Sequence, residues 1–229
     1  MIRSYKRIAA FALVAIASVG LLAAPAQAQS DQQKLVNAAS KTLGNFLRDP
    51  DMTWLQNNIG RAKGVLVAPE IVKAGFVFGG SGGRGVLVAH EGPSGKWGGP
   101  AFYTLATASV GFQAGVSVSE NVTLVMTEKG LNSLLANSVK LGGDASVAAG
   151  PVGAGAKSDV VADLVTFSRA KGVYGGLNLD GTVVAPANDW NDAYYGKKVL
   201  PPDILIRQSV HNKQADPLLA QVSKATKKK

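Results

Sequence analysis

Between Asp31 and Leu47 the apolar residues fall at Leu35, Val36, Ala39, Leu43, Phe46 and Leu47, the three-and-four spacing of one helical stripe. Lys34, Lys41 and Arg48 flank that stripe, so the pattern predicts an amphipathic helix that either docks on a core or lies on a membrane surface. Asp49-Pro50-Asp51 stops it, and a second short helix is expected over Thr53–Ile59. From Gly60 the pattern changes. Apolar runs of four to eight residues alternate with glycine clusters, and 25 of the 27 glycines lie between Gly60 and Gly196. This punctuation predicts short strands joined by tight turns. The expected strands are Val65–Ala68, Gly75–Phe78, Gly85–His90, Ala101–Val110, Gln113–Val118, Val122–Met126, Ala145–Val152, Asp163–Ser168, Gly172–Leu179 and Thr182–Ala185. A helical period returns at Glu128–Val139, with Leu131, Leu134, Leu135 and Val139 on one side. The fold class that follows is α+β and β-rich: a single domain of many short, glycine-bent antiparallel strands in a curled sheet or small barrel, with a few covering helices.

One pentapeptide, Arg-Ala-Lys-Gly-Val, occurs twice, at Arg61–Val65 and Arg169–Val173, each time at the edge of an apolar run. Alternate residues of an extended strand share a face. If the two copies are neighbours in the sheet, Arg61, Lys63, Arg169 and Lys171 converge, and a phosphate group would meet both planar guanidinium forks and compact ammonium charges. The competing reading is edge-strand charge that discourages aggregation. Arg84, inside the glycine run Gly79–Gly85 that reads as a hairpin, is the fifth candidate for the same chemistry.

The first 28 residues read as a signal peptide. Arg3, Lys6 and Arg7 form a positive head, Ile8–Leu22 an apolar run, and Ala26-Gln27-Ala28 a small-residue cleavage site. The run is too short for a membrane span, which needs about 20 apolar residues. Without cysteine, the chain carries no lipid-modified anchor and no disulfide. A periplasmic or secreted protein is expected. The leader takes three of the 24 basic residues and none of the 15 acids, so the net charge drops from +9 to +6. Most of that charge lies beyond Pro201, where six basic residues face two acids. Residues 206–229 therefore read as a basic C-terminal tail in which Lys227, Lys228 and Lys229 attract a polyanionic surface or simply fray into solvent.

Catalytic chemistry finds little to work with. His90 and His211 are the only histidines, so no metal-ligating spacing appears, and no cofactor is expected. Asp159 with Asp163 and Asp189 with Asp192 read as caps or solvated loops. Gly80-Ser-Gly-Gly-Arg-Gly85 has the spacing of a dinucleotide fingerprint and Gly79–Gly83 that of a nucleophile elbow, yet both lead into a strand where those motifs need a helix. The sequence reads as non-enzymatic.

Several ordered blocks resemble the SYLF family: Gly64-Val-Leu-Val-Ala, Gly75-Phe-Val-Phe-Gly-Gly-Ser-Gly-Gly-Arg-Gly-Val-Leu, Trp97-Gly-Gly-Pro-Ala-Phe, Gly111-Phe-Gln-Ala-Gly, Gly150-Pro-Val-Gly, the run from Phe167 to Gly181, and Asn191-Asp-Ala-Tyr-Tyr-Gly196. The likeness spans about Asn37 to Leu205, which places a SYLF-like domain at 29–205. It implies binding of anionic phospholipid, as eukaryotic members bind phosphoinositide membranes, and some yeast members bind actin. Lys96-Trp97-Gly98-Gly99-Pro100 departs from an expected Gly-Trp-Ser-Ala-Pro, and Asp180-Gly181 from an expected Glu-Gly turn. For an exported chain, actin and nucleic acid are not expected partners. Head-group binding then falls to Arg61, Lys63, Arg84, Arg169 and Lys171, with Lys34, Lys41, Trp97 and Lys227–229 as membrane contacts. A structural or assembly protein of the envelope, self-associating through its glycine-rich sheet, is the alternative.

Overall fold

Ser30 opens the first helix, its hydroxyl accepting from the Gln33 amide at 3.2 Å. The helix, α1 (Asp31–Arg48), turns Val36, Ala39, Leu43 and Phe46 into the core and ends before Pro50. A single turn at Pro50–Met52 leads into α2 (Thr53–Asn58), and another at Ile59–Arg61 into the sheet. The computed structural model describes residues 29–75, 78–90, 96–110, 115–153, 155, 160–170, 173–175 and 181–227. The leader, Lys171, Lys228 and Lys229 lie outside these residues.

The sheet comprises β1 (Gly64–Gly75), β2 (Phe78–Ala89), β3 (Gly98–Val110), β4 (Gly115–Val125), β5 (Val139–Lys140), β6 (Val147–Ala149), β7 (Leu164–Ala170), β8 (Val173–Gly175) and β9 (Val183–Pro186). Their order is β5-β9-β3-β2-β1-β4-β7-β6, with β8 on β7. The two ends of that path are unpaired with each other among the described residues, so the sheet is open. All pairs are antiparallel except β6 with β7. The fold is α+β, β-rich and a single domain, as the sequence predicts.

Helices cover both faces of one half of the sheet. In front, α1, α2, α4 (Asn188–Tyr195) and α6 (Asp216–Thr226) pack on Val65, Val67, Val86, Val88, Phe102, Val122, Leu124, Val165 and Phe167. Behind, α3 (Glu128–Leu135) and α5 (Pro201–Leu205) cover Leu66, Leu87, Ala101, Tyr103, Leu105, Val125 and Leu164. Each buried valine, leucine and phenylalanine among them contributes about 1.5–3 kcal/mol by leaving water. Residues 206–229 read as a tail in the sequence, yet Leu218, Val222 and Ala225 of α6 are buried in the front core.

Two expectations need correction. The helix at Glu128 ends at Leu135, and Val139 instead starts β5. The run Gly79–Gly85 is no hairpin: it lies inside β2, paired to β1 on one side and β3 on the other. Backbone hydrogen bonds to two neighbours hold a run in which five of seven residues are glycine. The glycines serve a further need, because β1 carries one extra residue there: register passes from Val67↔Val86 to Glu70↔Arg84. A Cβ at Gly83 would stand 2.3 Å from the Glu70 carbonyl, and one at Gly85 2.9 Å from that of Val67.

The same four central strands continue past α1. Register stacks Glu70, Arg84, Thr104 and Glu120 in one front row, then Val72, Gly82, Ala106 and Val118, then Ala74, Gly80, Ala108 and Val116. On the other face the corresponding row is Lys73, Ser81, Thr107 and Ser117.

Candidate functional site

The row of charge and the amino-terminal half of α1 enclose an open cleft of about 830 Å³. One side is the α1 stripe Asp31, Lys34, Leu35, Ala38, Lys41 and Thr42, which helical spacing places along a single flank. The floor is Pro69, Glu70, Val72, Gly82–Arg84 and Thr104–Ala106, and Trp190 of α4 closes an end. Lys34, Lys41 and Arg84 therefore meet at one place, although 43 residues of chain separate the last two.

The electrostatics leave a small positive surplus there. Lys34 is spent on Asp31 at 2.9 Å. Glu120 is satisfied twice: Arg169 pairs with it, with Nε donating at 2.9 Å, and Thr42 Oγ1 donates to its other oxygen at 2.9 Å. Arg84 lies across the Trp190 ring, its guanidinium carbon 4.3 Å from the centroid, which fixes the fork without neutralising it. Lys41 is exposed and makes no ion pair among the described residues. Lys41 and Arg84 thus face Glu70 as the one carboxylate not paired elsewhere. The ring-held Arg84 guanidinium and the Lys41 ammonium, with the Lys34–Asp31 pair beside them, line an open cleft that suits an anion. No group of three metal-ligating side chains is present among the described residues.

Arg169 of the second pentapeptide copy does not come near Arg61 and Lys63 of the first, and Lys171 lies outside the described residues. β1 and β7 both run antiparallel to β4 and hence parallel to each other. The first copy precedes β1, whereas the second begins near the end of β7. Gly64 and Leu164 both pair with Val125, but Arg169 pairs with Glu120, five residues and about 16 Å further along. Arg61, Lys63, Trp97 and Lys227 gather instead at the opposite, root end. There Arg61 donates to Asn58 Oδ1 at 3.4 Å, Lys63 lies 3.6 Å from Glu128, and Trp97 stacks near His90 at 5.3 Å. Lys227 follows the end of α6, where Gly60 leaves just enough room for the Thr226 carbonyl.

Other conspicuous polar groups are structural. Thr127 donates to Asp163 at 2.6 Å, and Ser146 donates through both its amide and its hydroxyl. These bonds, with Lys129 nearby, hold the Asp163 carboxyl well below the usual range, and they tie the start of α3 to the start of β7. Burial pushes the Tyr103 and Tyr195 hydroxyls upward, and each donates to a backbone carbonyl at 2.8 Å. Asn191, fully buried, accepts from the Phe102 amide at 2.8 Å and so anchors α4 to β3. Sequence reasoning missed Trp190, Glu70 and Glu120. A tryptophan directly after Asp189 in a polar stretch was the available signal, and it sits half-buried against the front core.

Comparison with known proteins agrees with the resemblance. The model of the Ysc84 family, described as "Las17-binding protein actin regulator", matches residues 106–225, just over half the chain. The human SH3 domain-containing YSC84-like protein 1 is 28% identical over 214 residues, covering 89% of this chain and 61% of its own length. Protein YSC84 of Saccharomyces cerevisiae is 30% identical over 194 residues, 79% of this chain and 41% of its own. LAS seventeen-binding protein 3 of the same yeast is 30% identical over 192 residues, with 79% and 41% covered. The chain thus spans less than two thirds of the curated relatives it matches. With the family match resting on β3 through α6, and the relatives extending it across α1, the chain belongs to the Ysc84 (SYLF) family.

Proposed function

We propose that this chain is an exported, non-enzymatic protein that binds anionic phospholipid head groups in the cleft between α1 and the charged row of the sheet. The observation that carries this reading is the meeting of Lys34, Lys41 and Arg84 around an open volume large enough for a phosphorylated head group. Arg84 supplies the oriented fork and Lys41 the compact charge. The lipid binding implied by the SYLF resemblance supports it, and so does a net positive chain. Partners named for the relatives, Las17 and actin regulation among them, belong to those proteins; outside the cytoplasm a lipid surface replaces them. No helix among the described residues is long and apolar enough to cross a membrane.

The test is vesicle flotation. The protein should float with phosphatidylglycerol-containing vesicles, not with pure phosphatidylcholine, and the floated fraction should fall as salt rises. Lys34→Gln, Lys41→Gln and Arg84→Gln together should weaken binding about 100-fold, at about 1 kcal/mol for each cation near the surface. Arg61→Gln with Lys63→Gln should leave most binding intact. Undiminished flotation of the triple variant, or equal flotation with zwitterionic vesicles, would overturn the assignment.

A further inference from the structure

Beyond the charged row, the front of the sheet carries eight consecutive apolar positions on four strands. They lie in register as Ala106–Gly82–Val72–Val118 and Ala108–Gly80–Ala74–Val116. Val116 is 66% exposed, Val118 43% and Val72 38%. Ala74, Gly82, Ala106 and Ala108 are exposed as well. No charge interrupts either row. The reverse face of the same strands is half-buried and polar: Lys73, Ser81, Thr107 and Ser117 lie there, and Thr107 shares a hydrogen bond with Thr182 at 2.7 Å. Four strands about 4.8 Å apart, with rows about 7 Å apart, make an apron about 14 Å wide. It continues directly from the cleft, which Val72, Gly82 and Ala106 also line.

We infer that this apron is the surface that dips into the apolar boundary of an anionic bilayer, with the charged row behind it at the depth of the phosphates. The inference rests on the lipid-binding reading and specifies how the protein sits on the membrane. The order of chemistry along the strands, apolar apron first and then Arg84 with Lys41 and Lys34 above it, matches the order of a lipid interface, acyl boundary and then phosphate. A protein partner fits less well. Among the described residues, its eight positions offer no aromatic or arginine anchor of the kind that carries protein interfaces. Its area, on the order of 200 Å² from the strand spacings, also falls far below the roughly 800 Å² per partner of a stable interface. Small side chains, glycine and alanine beside valine, suit a fluid surface, which needs no matching knobs.

The chain has no cysteine, so a single introduced thiol gives a clean probe. Val116→Cys and Ser117→Cys, one on each face, are each labelled with an environment-sensitive fluorophore in the otherwise intact protein. On phosphatidylglycerol vesicles the label at 116 should shift to the blue and be quenched by nitroxide lipids, while the label at 117 stays unshifted. In parallel, Val72→Thr, Val116→Thr and Val118→Thr together keep the branched strand shape but remove a methyl from each. That variant should unfold at the wild-type temperature and bind the vesicles about tenfold more weakly. If the wild-type protein does not float with anionic vesicles, the lipid reading itself falls and this inference with it. If the wild type floats while the label at 116 is silent, or the triple variant binds equally well, the apron is not the inserted surface and the lipid reading stands. A change in oligomeric state without a change in flotation overturns the inference in favour of a second copy.

Discussion

The two halves of the central strands share one backbone ladder and differ in almost everything else. At the root, Val65–Ala68 and Val86–Ala89 alternate between two apolar cores, each face roofed by helices. Past the extra residue at Pro69, the same strands carry Glu70, Val72 and Ala74 in front and lose the helical roof. The root half is held by packing on both faces, and the projecting half mostly by strand pairing, with Ile71 and Leu105 in the back core and a few polar contacts such as Thr42 to Glu120. Stability and binding should therefore separate along the length of a single strand.

The largest effect should come from the packed half. Phe167→Ala removes a side chain that is 1% exposed and tilted against Trp54 at 5.8 Å, and should cost about 4 kcal/mol in a denaturation experiment. Val116→Ala in the projecting half should stay within about 0.5 kcal/mol of wild type. Equal losses would show that both halves carry the fold. The junction comes next: Gly83→Val forces a Cβ against the Glu70 carbonyl and should cost about 2–3 kcal/mol through displaced backbone.

A smaller and pH-dependent effect belongs to Asp163, at the root of β7. Its carboxyl binds a proton more weakly in the folded protein than in the unfolded chain, owing first to the Thr127 hydrogen bond. The stability it contributes is thus present above the ordinary carboxyl range near pH 4 and lost as pH falls through its lowered folded value. Unfolding midpoints measured between about pH 5 and 2 should decline in the wild type and decline less steeply in Asp163→Asn. The same slope in both would remove Asp163 from the account.

Much of the root half was legible in the sequence. The stripe Leu35 to Leu47 predicted α1 almost to the residue, and the runs at Val65, Gly85 and Val122 named the packed stretches of β1, β2 and β4. In the projecting half, β3 was legible as the expected strand Ala101–Val110 and β4 in part as Gln113–Val118, whereas Glu70–Ala74 of β1 and Gly79–Arg84 of β2 were not, because the glycines look like turn chemistry. Only pairing on both sides makes Gly79–Arg84 a strand, and pairing is a non-local fact. The α6 stripe of Leu218, Val222 and Ala225 was present at helical spacing but was outweighed by the lysines around it. For the site, Arg84, Lys34 and Lys41 were named from residue type, whereas their meeting place depends on how α1 crosses the sheet. The pentapeptide repeat misled for the same reason: identical residues can precede one strand and follow another.

The extra residue at Pro69 has a consequence for natural variation. It keeps Ala68 and Ile71 on one side while two carbonyls crowd positions 83 and 85, so the extra residue and the two glycines are coupled by geometry. Members of the family with a β1 one residue shorter at this point would be released from that crowding and free to bear side chains at both positions. Removing Pro69 here should make Gly83→Ala harmless.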